Sequence, residues 1–189
     1  MLAVTGLNTT IVQAYLQLRP EDVKRIEAVP SLAHPTPDIS VPQADRYILA
    51  AGVLHQVNLL YQTEKQIIES LCVNFINVIR LCETILRSVP RARICVVGSE
   101  SGFKWSNDDT YAGSKAAVHA YVENRRVAHT QQLVGVAPPI IRDSGMTLRR
   151  NDYPDVLKTR RTVTAKLVAE AISGLFSDEI DLNNTVVRL

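Results

Sequence analysis

The chain has 189 residues, of which 46% are hydrophobic and 21% charged, and its formal net charge is +2. This composition is typical of a folded globular protein and argues against a disordered chain or a coiled coil. The small net charge argues against a nucleic-acid partner. The basic residues that come closest to a cluster are interpreted as solvated loop charges: Arg149, Arg150, Lys158, Arg160 and Arg161.

Targeting and metal-binding signals are weak. No apolar run approaches the roughly 18 residues that a membrane-spanning helix needs, so no membrane partner is expected. Residues 1–6 are apolar but too few for the core of a signal peptide, which favours a cytoplasmic location. Cys72, Cys82 and Cys95 show no metal-ligand spacing, so we expect small buried thiols and no metal site.

Apolar runs and turn residues alternate along the chain, and their spacing predicts the elements. In chain order these are a strand at 1–5, a helix at 11–18, strands at 24–29 and 46–51, a long helix at 63–87, a strand at 94–97, a helix at 110–130, a strand at 133–137, a helix at 163–175 and a strand at 185–189. Closely spaced prolines exclude a helix at 30–42, and an irregular stretch follows residue 139. Thr63 and Gln66 predict a capping box at the start of the long helix.

Strands that alternate with helices predict an α/β fold, in which a parallel sheet is covered by helices on both faces. Several strands end at glycine or proline, where a doubly wound sheet places its ligand crevice, beyond the carboxyl ends of its strands. No internal repeat or linker is evident, so a single domain over residues 1–189 is expected.

The sequence Tyr111-Ala-Gly-Ser-Lys115 places a phenol and an ammonium group four residues apart. On a helix these side chains share one face, one turn apart. A free tyrosine titrates near pH ~10, and a nearby positive charge lowers that value. The pair is therefore a candidate for protonating a carbonyl oxygen or deprotonating an alcohol. The alternative is an exposed helical pair without a chemical role.

The residues before Tyr111 give this pair a context. The strand at 94–97 leads into Gly98-Ser-Glu-Ser-Gly102, a small-residue turn that exposes a serine, and Tyr-x-x-Ser-Lys follows. This succession resembles the active-site segment of the short-chain dehydrogenase/reductase family. Ser99, twelve residues before Tyr111, matches the family's catalytic serine, with Ser101 as the alternative.

Further matches to the family follow in the correct order and cover almost the whole chain. Asn74 matches the asparagine that supports the catalytic lysine through a bound water. The other matches, all to cofactor contacts, are Asp38 with Ile39, Ala50-Ala51-Gly52, and Pro138 with Ile141. The resemblance thus implies Tyr111, Lys115, Ser99 and Asn74 as catalytic residues, with Tyr111 and Lys115 also touching the cofactor.

The resemblance implies a Rossmann-like doubly wound parallel sheet, a nicotinamide cofactor and a small carbonyl or alcohol substrate. It also implies a homodimer or homotetramer, assembled through the helices at 63–87 and 110–129. The segment at 30–42 would then replace a helix and parts of two strands. Neutral Pro30-Ser31 follows the second strand where NAD-specific members carry an acidic residue, so NADP is favoured over NAD, with Ser31 as a candidate contact.

The first turn departs from the family. In place of Thr-Gly-x-x-x-Gly-x-Gly the chain has Thr5-Gly-Leu-Asn-Thr-Thr-Ile-Val12, so Thr10 and Val12 replace the later glycines. Those glycines let the backbone approach the pyrophosphate and let the helix pack close to the sheet. The helix N-terminus and side-chain donors can still bind phosphate. The residues expected there are Gly6, Asn8, Thr9, Thr10 and Ile11.

The leading hypothesis is an NAD(P)-dependent oxidoreductase with Tyr111 as general acid and base. The alternative, motivated by the missing glycines, is a relative without turnover that serves as a dinucleotide-binding or structural interaction module. A serine hydrolase is set aside, because Gly98-Ser-Glu-Ser-Gly102 has Glu at the centre, where a Gly-x-Ser-x-Gly elbow carries its nucleophile.

Overall fold

The computed structural model describes residues 1–23, 26–28, 41–55, 59–104, 106–177 and 182–189. The predicted cofactor contacts Ser31, Asp38 and Ile39 lie outside these residues, as does most of the proline-rich segment at 30–42.

A parallel sheet of six strands forms the centre of the described chain. In chain order the strands are β1 (Leu2–Thr5), β2 (Ile26–Ala28), β3 (Arg46–Leu49), β4 (Arg93–Val97), β5 (Gln132–Ala137), then β6 (Ile140–Ile141) and β7 (Thr162–Val163), which form a separate pair, and β8 (Thr185–Arg188). The spatial order is β2-β1-β3-β4-β5-β8. Because β2 and β3 lie on opposite sides of β1, a crevice opens at the carboxyl ends of β1 and β3.

Helices cover both faces of this sheet. They are α1 (Thr10–Leu18), α2 (Pro20–Val23), α3 (Glu64–Leu71), α4 (Asn77–Ser88), α5 (Asp109–Asn124), α6 (Gly145–Leu148), α7 (Tyr153–Thr159) and α8 (Ala165–Leu175). Leu2 and Val4 of β1 pack with residues of α1 and α8, whereas Ala3 faces the other way and packs with residues of α4 and α5. The predicted doubly wound α/β fold is confirmed.

Local capping residues account for where the main helices begin. The side chain of Thr63 accepts from the Gln66 N–H (3.3 Å), and the Gln66 side chain accepts from the Thr63 N–H (2.9 Å), so the predicted capping box is present. Thr9 caps α1 and Asp108 caps α5, and in each case one side-chain oxygen accepts a backbone N–H of the first helical turn.

Three predicted boundaries are wrong. The helix expected to reach residue 130 ends at Asn124, because the chain then turns back toward α4, where Gln131 Nε2 donates to the Leu86 carbonyl (2.7 Å). The third strand ends at Leu49, where its pairing with β4 stops. The last helix begins at Ala165, since Thr164 caps it, and Val163 belongs to β7.

The stretch after residue 139 is more regular than predicted. It contains β6, α6, α7 and β7, and β6 pairs with β7 across the two short helices. The Asp143 carboxylate accepts from the Ala165 N–H (2.8 Å), which ties the beginning of this stretch to α8. These elements are too short to show a hydrophobic period, so only their mutual contacts define them.

Cys82 and Cys95 are buried as expected, while Cys72 is partly exposed. Within the described residues, no helix combines the length and the apolar character that crossing a membrane requires.

Candidate functional site

A cavity of about 610 Å³ opens at the carboxyl ends of β1, β3, β4 and β5. The predicted site residues that line it are Asn8, Thr9, Thr10, Ile11, Ala50, Ala51, Gly52, Ser99, Tyr111, Lys115, Pro138 and Ile141. Two others lie behind the wall. Gly6 is next to the Ala51 backbone, and Asn74 is next to Gly52.

Gly6 makes the turn between β1 and α1. Its φ of 67° lies in the left-handed region that favours glycine. A Cβ at this position would lie 2.8 Å from Thr9 Cγ2 and 3.2 Å from the Ala51 nitrogen. The glycine therefore lets the turn pass close to the end of β3, and the Thr9 hydroxyl caps the helix that follows by accepting from the Val12 N–H (3.4 Å).

The two residues that replace the family's later glycines have different surroundings. Thr10 lines the cavity, so its side chain takes up room at the N-terminus of α1. Val12 is fully buried in the apolar cluster that contains Leu2 and Val4. The helix therefore contacts the sheet through the Val12 side chain, where a glycine would bring the two backbones closer.

Asp108 fixes the start of α5 and is 1% exposed. Its Oδ1 accepts from the Tyr111 N–H (2.8 Å) and from Gln62 Nε2 (2.8 Å), and its Oδ2 accepts from the His55 N–H (3.0 Å). Hydrogen bonds to a carboxylate are stronger than those between neutral groups. Asp108 thus holds the first turn of α5, including Tyr111, against the segments that follow β3.

Tyr111 and Lys115 lie together, as the sequence predicts. The Lys115 Nζ atom is 5.7 Å from the centroid of the Tyr111 ring. Lys115 is buried, and its Nζ donates to the Val97 carbonyl at the end of β4 (3.0 Å). Both side chains therefore meet at the wall of the cavity, below the ends of the sheet strands.

Burial is the main influence on the pKa values of Tyr111 and Lys115. Desolvation lowers the pKa of Lys115 to about 8. Desolvation also raises the pKa of Tyr111, a side-chain hydrogen bond with Ser99 lowers it, and the charge of Asp108 raises it. The net shift of the tyrosine is upward, opposite to the shift expected from the sequence, because burial outweighs the stabilisation of the phenolate.

Asn74 lies in a π-helical turn, Cys72–Ile76, which the sequence analysis missed. Its amide joins this turn to the segment after β3: Oδ1 accepts from the Val53 N–H (2.9 Å), and Nδ2 donates to the Val53 carbonyl (2.9 Å). A Cβ on Gly52 would lie 3.3 Å from Asn74 Oδ1 and 3.8 Å from Lys115 Nζ. Asn74 and Lys115 are thus brought to the same glycine.

Ser99 follows Gly98 at the end of β4. Its hydroxyl oxygen accepts from the Ser101 N–H (3.2 Å), and its side chain lies near enough to Tyr111 to lower the pKa of the tyrosine. Its own N–H donates to Nε2 of His119 on α5 (3.3 Å). The structure therefore brings Ser99, Tyr111 and Lys115 to one part of the cavity wall. Ser101, the alternative serine, also lines the cavity.

Several residues of this site are not among those expected from the sequence. The role of Asp108 could have been predicted from the local sequence, because an Asp just before a helix commonly caps it by accepting the backbone N–H three residues later. The arginines interpreted as loop charges also line the cavity, although most are exposed: Arg149, Arg150, Arg160 and Arg161. Arg150 is held by Asp152 (2.7 and 2.8 Å). His119 shows no sequence signal.

The fold and the cavity define a Rossmann-type α/β protein with a ligand crevice at its strand ends. Residues 20–154 match the family model of short chain dehydrogenases, and the chain belongs to that family. No curated protein matches the sequence.

Solved structures agree with this fold. A short-chain dehydrogenase/reductase described as a glucose/ribitol dehydrogenase, from Brucella melitensis, superposes with a TM-score of 0.81 at 18% identity, over 100% of this chain and 94% of that one. The aldohexose dehydrogenase of Thermoplasma acidophilum gives 0.76 at 15% identity, over 100% and 91%. A 4-hydroxyisoleucine dehydrogenase mutant complexed with NADH and succinate gives 0.81 at 14% identity, over 100% and 96%.

Proposed function

We propose that this protein is an NAD(P)-dependent oxidoreductase that interconverts a carbonyl compound and its alcohol. The observation that carries the proposal is the meeting of Ser99, Tyr111 and buried Lys115 at the wall of the strand-end cavity. Family membership supports an oxidoreductase of this type. Ser99, Tyr111, Lys115 and Asn74 are the residues that we assign to the chemistry.

The residues around the cavity fit a dinucleotide. The N-terminus of α1 faces the cavity through Thr10 and Ile11, where free backbone N–H groups and the helix dipole favour phosphate. Gly52 keeps the wall open beside Asn74 and Lys115. Pro138 and Ile141 line the cavity after β5 and would hold the nicotinamide. A bound reduced nicotinamide would supply the hydride, and hence the two electrons that reduce the substrate carbon.

Tyr111 supplies the proton in the reductive direction. As the carbonyl carbon gains the hydride, its oxygen takes the proton of the Tyr111 hydroxyl and becomes the alcohol. The Tyr111 hydroxyl carries this proton, and its raised pKa makes the proton harder to release without further stabilisation of the phenolate. Ser99 donates a hydrogen bond to the same oxygen, and Lys115 stabilises the phenolate that remains until the proton is replaced. Alcohol oxidation uses the same groups in reverse.

We further propose that the protein prefers NADP to NAD, because Pro30-Ser31 offers no carboxylate to the ribose hydroxyls of NAD. Titration of the purified protein with NADPH and NADH, followed by calorimetry, tests it. We expect binding of both with NADPH tighter, and consumption of NADPH with at least one member of a panel of aldehydes and ketones. Absence of binding to either dinucleotide would contradict the proposal.

A second candidate is a family member that binds a dinucleotide without turnover. Thr10 and Val12, which occupy the positions of the family's glycines, favour it. Binding of a dinucleotide without turnover across the carbonyl panel would support this candidate over the enzyme.

We also propose that the protein forms a homodimer through α3 and the turns on either side of it. The exposed apolar side chains of this region are Leu60, Tyr61, Ile68, Leu71 and Ile76. On α5, by contrast, Val118 and Val122 belong to the core of the protomer. Light scattering should give the mass of a dimer for the wild type and of a monomer for Ile68→Glu, while a monomeric wild type would exclude the dimer.

A further inference from the structure

We propose that His119 is a positioning residue of the reaction centre, which holds Ser99 in place through the serine's backbone. The proposal rests on the function proposed above, because it concerns the residue that meets Tyr111. His119 lies on α5, one turn beyond Lys115, and is 3% exposed.

The hydrogen bond defines the state of the histidine ring. His119 Nε2 lies 3.3 Å from the Ser99 nitrogen and accepts its N–H. A ring nitrogen that accepts carries no proton, so the neutral imidazole has its proton on Nδ1. In the described part of the chain, Nδ1 is buried without a hydrogen-bond partner. One buried polar atom is thus left unsatisfied while Nε2 is committed to Ser99.

Two glycines of the serine turn make room for the ring. A Cβ on Gly98 would lie 2.8 Å from His119 Cδ2, and a Cβ on Gly102 would lie 2.6 Å from His119 Cε1. A Cβ this close to the ring would clash with it, so both positions require glycine as long as residue 119 is histidine. The turn from Gly98 to Gly102 is therefore shaped around the imidazole on both sides of Ser99.

Aromatic and cationic groups hold the other side of the ring. Phe103 stacks on His119 with ring centroids 4.4 Å apart, and the Arg188 guanidinium lies 3.7 Å from the Phe103 centroid. The ring is thus fixed between the serine turn and a stack that reaches β8. A side chain that is restrained on every side can transmit its position to Ser99.

Burial, together with the charges that face the ring, keeps His119 neutral. Burial, then the charges of Lys115 and Arg188, lower the pKa of His119 to about 4. Nε2 therefore remains an acceptor for the Ser99 N–H over the neutral pH range. With its backbone held, Ser99 keeps its hydroxyl beside Tyr111, where the hydroxyl oxygen also accepts from the Ser101 N–H.

Two substitutions separate the hydrogen bond from the volume of the ring. His119→Gln keeps an acceptor that can reach the Ser99 N–H, whereas His119→Leu fills similar space without one. We expect His119→Leu to lower kcat by up to about 100-fold with the Kd for NADPH unchanged, and His119→Gln to stay within about 5-fold of the wild type. Equal kcat values for the wild type and His119→Leu would overturn the proposal.

A second measurement does not depend on activity or on a folded variant. In uniformly ¹⁵N-labelled wild-type protein, NMR should show His119 as the neutral tautomer with its proton on Nδ1, and the Ser99 amide should exchange slowly. A proton on Nε2 would overturn the inference. If the wild type shows no turnover, the proposed function fails, and the tautomer together with Ser99 amide exchange in the wild type still decides whether His119 holds the turn.

Discussion

The two ends of the cavity differ in how firmly their side chains are held. At the reaction end, the segment from Gly98 to His119 contains an Asp108 carboxylate that accepts hydrogen bonds, donors at Ser99 and Lys115, and a histidine packed against two glycines. At the phosphate end, the turn after β1 is closed by short-range hydrogen bonds of its own, from the Thr9 N–H to the Gly6 carbonyl (2.8 Å), from Gln13 Nε2 to the Leu7 carbonyl (2.8 Å) and through the Thr9 cap. The departure from the family pattern falls in the second region.

This difference indicates where the fold tolerates amino-acid substitutions and where it does not. At the reaction end each side chain serves several partners, so one substitution would disturb several contacts. At the phosphate end Val12 is part of the core and Thr10 lines the cavity. We therefore expect reaction-end substitutions to affect chemistry strongly, and phosphate-end substitutions to affect stability or affinity separately.

The largest effect is expected from Tyr111→Phe. Removing the hydroxyl removes the proton donor, so kcat should fall by about 1,000-fold while the Kd for NADPH changes little. Tyr121→Phe is the matched control, since the Tyr121 hydroxyl donates to Glu83 (2.8 Å) away from the cavity. Steady-state kinetics that give similar losses for both variants would assign the effect to folding.

Val12→Gly, which restores the family's residue, should destabilise this protein. Val12 is 0% exposed, so its loss leaves a cavity between α1 and the sheet and adds backbone freedom. We expect the free energy of unfolding in urea to fall by about 3 kcal/mol. A neutral or stabilising result would show that α1 can move onto the sheet, and that the two ends of the cavity are equally adaptable.

Lys115→Met should stabilise the protein near neutral pH, although it removes the charge that stabilises the Tyr111 phenolate. With a pKa of about 8 in the folded state and 10.5 in the unfolded state, only the unfolded chain binds this proton between those values, so stability falls as pH decreases through that window. Below it the penalty is complete. After allowing for the lost hydrogen bond to the Val97 carbonyl, we expect the free energy of unfolding of Lys115→Met to exceed that of the wild type by about 1–2 kcal/mol at pH 7. This difference should shrink as the pH rises toward 10.5.

The control for this change is Lys166→Met, whose side chain is 75% exposed. Its unfolding free energy should stay within about 0.5 kcal/mol of the wild type at every pH. A Lys115→Met protein that is less stable than the wild type at pH 7 would contradict the burial argument.

The smallest effect is expected at Thr10. Thr10→Gly clears the N-terminus of α1 for a phosphate group, so the Kd for NADPH should improve by about 3-fold. Thr10→Ser keeps the hydroxyl and should lie between the two. Calorimetry that shows weaker binding in the glycine variant would mean that the threonine side chain itself contacts the cofactor.

The main elements and their alternation could be predicted because apolar spacing within each segment is local. The same holds for the Thr63 capping box and for the pairing of Tyr111 with Lys115 on one helix face. What was missed depends on residues distant in sequence: Gly98 and His119 are separated by 21 positions, and nothing in either neighbourhood indicates their contact. The tyrosine pKa was predicted wrongly because a pair of residues reveals charge but not burial.

Because of the π-helical turn at Cys72–Ile76, the position of Asn74 depends on the number of residues in this part of the helix. Such a turn holds one extra residue, and each residue rotates an α-helix by about 100°. The extra residue keeps every fourth position on one side: Ser70, Asn74, Val78, Cys82 and Leu86 are all largely buried. Deleting a single codon in this turn would rotate Asn74 away from Val53 while leaving α4 in the core. The asparagine's place beside the cavity therefore depends on a single insertion that a comparison of residue types alone would overlook.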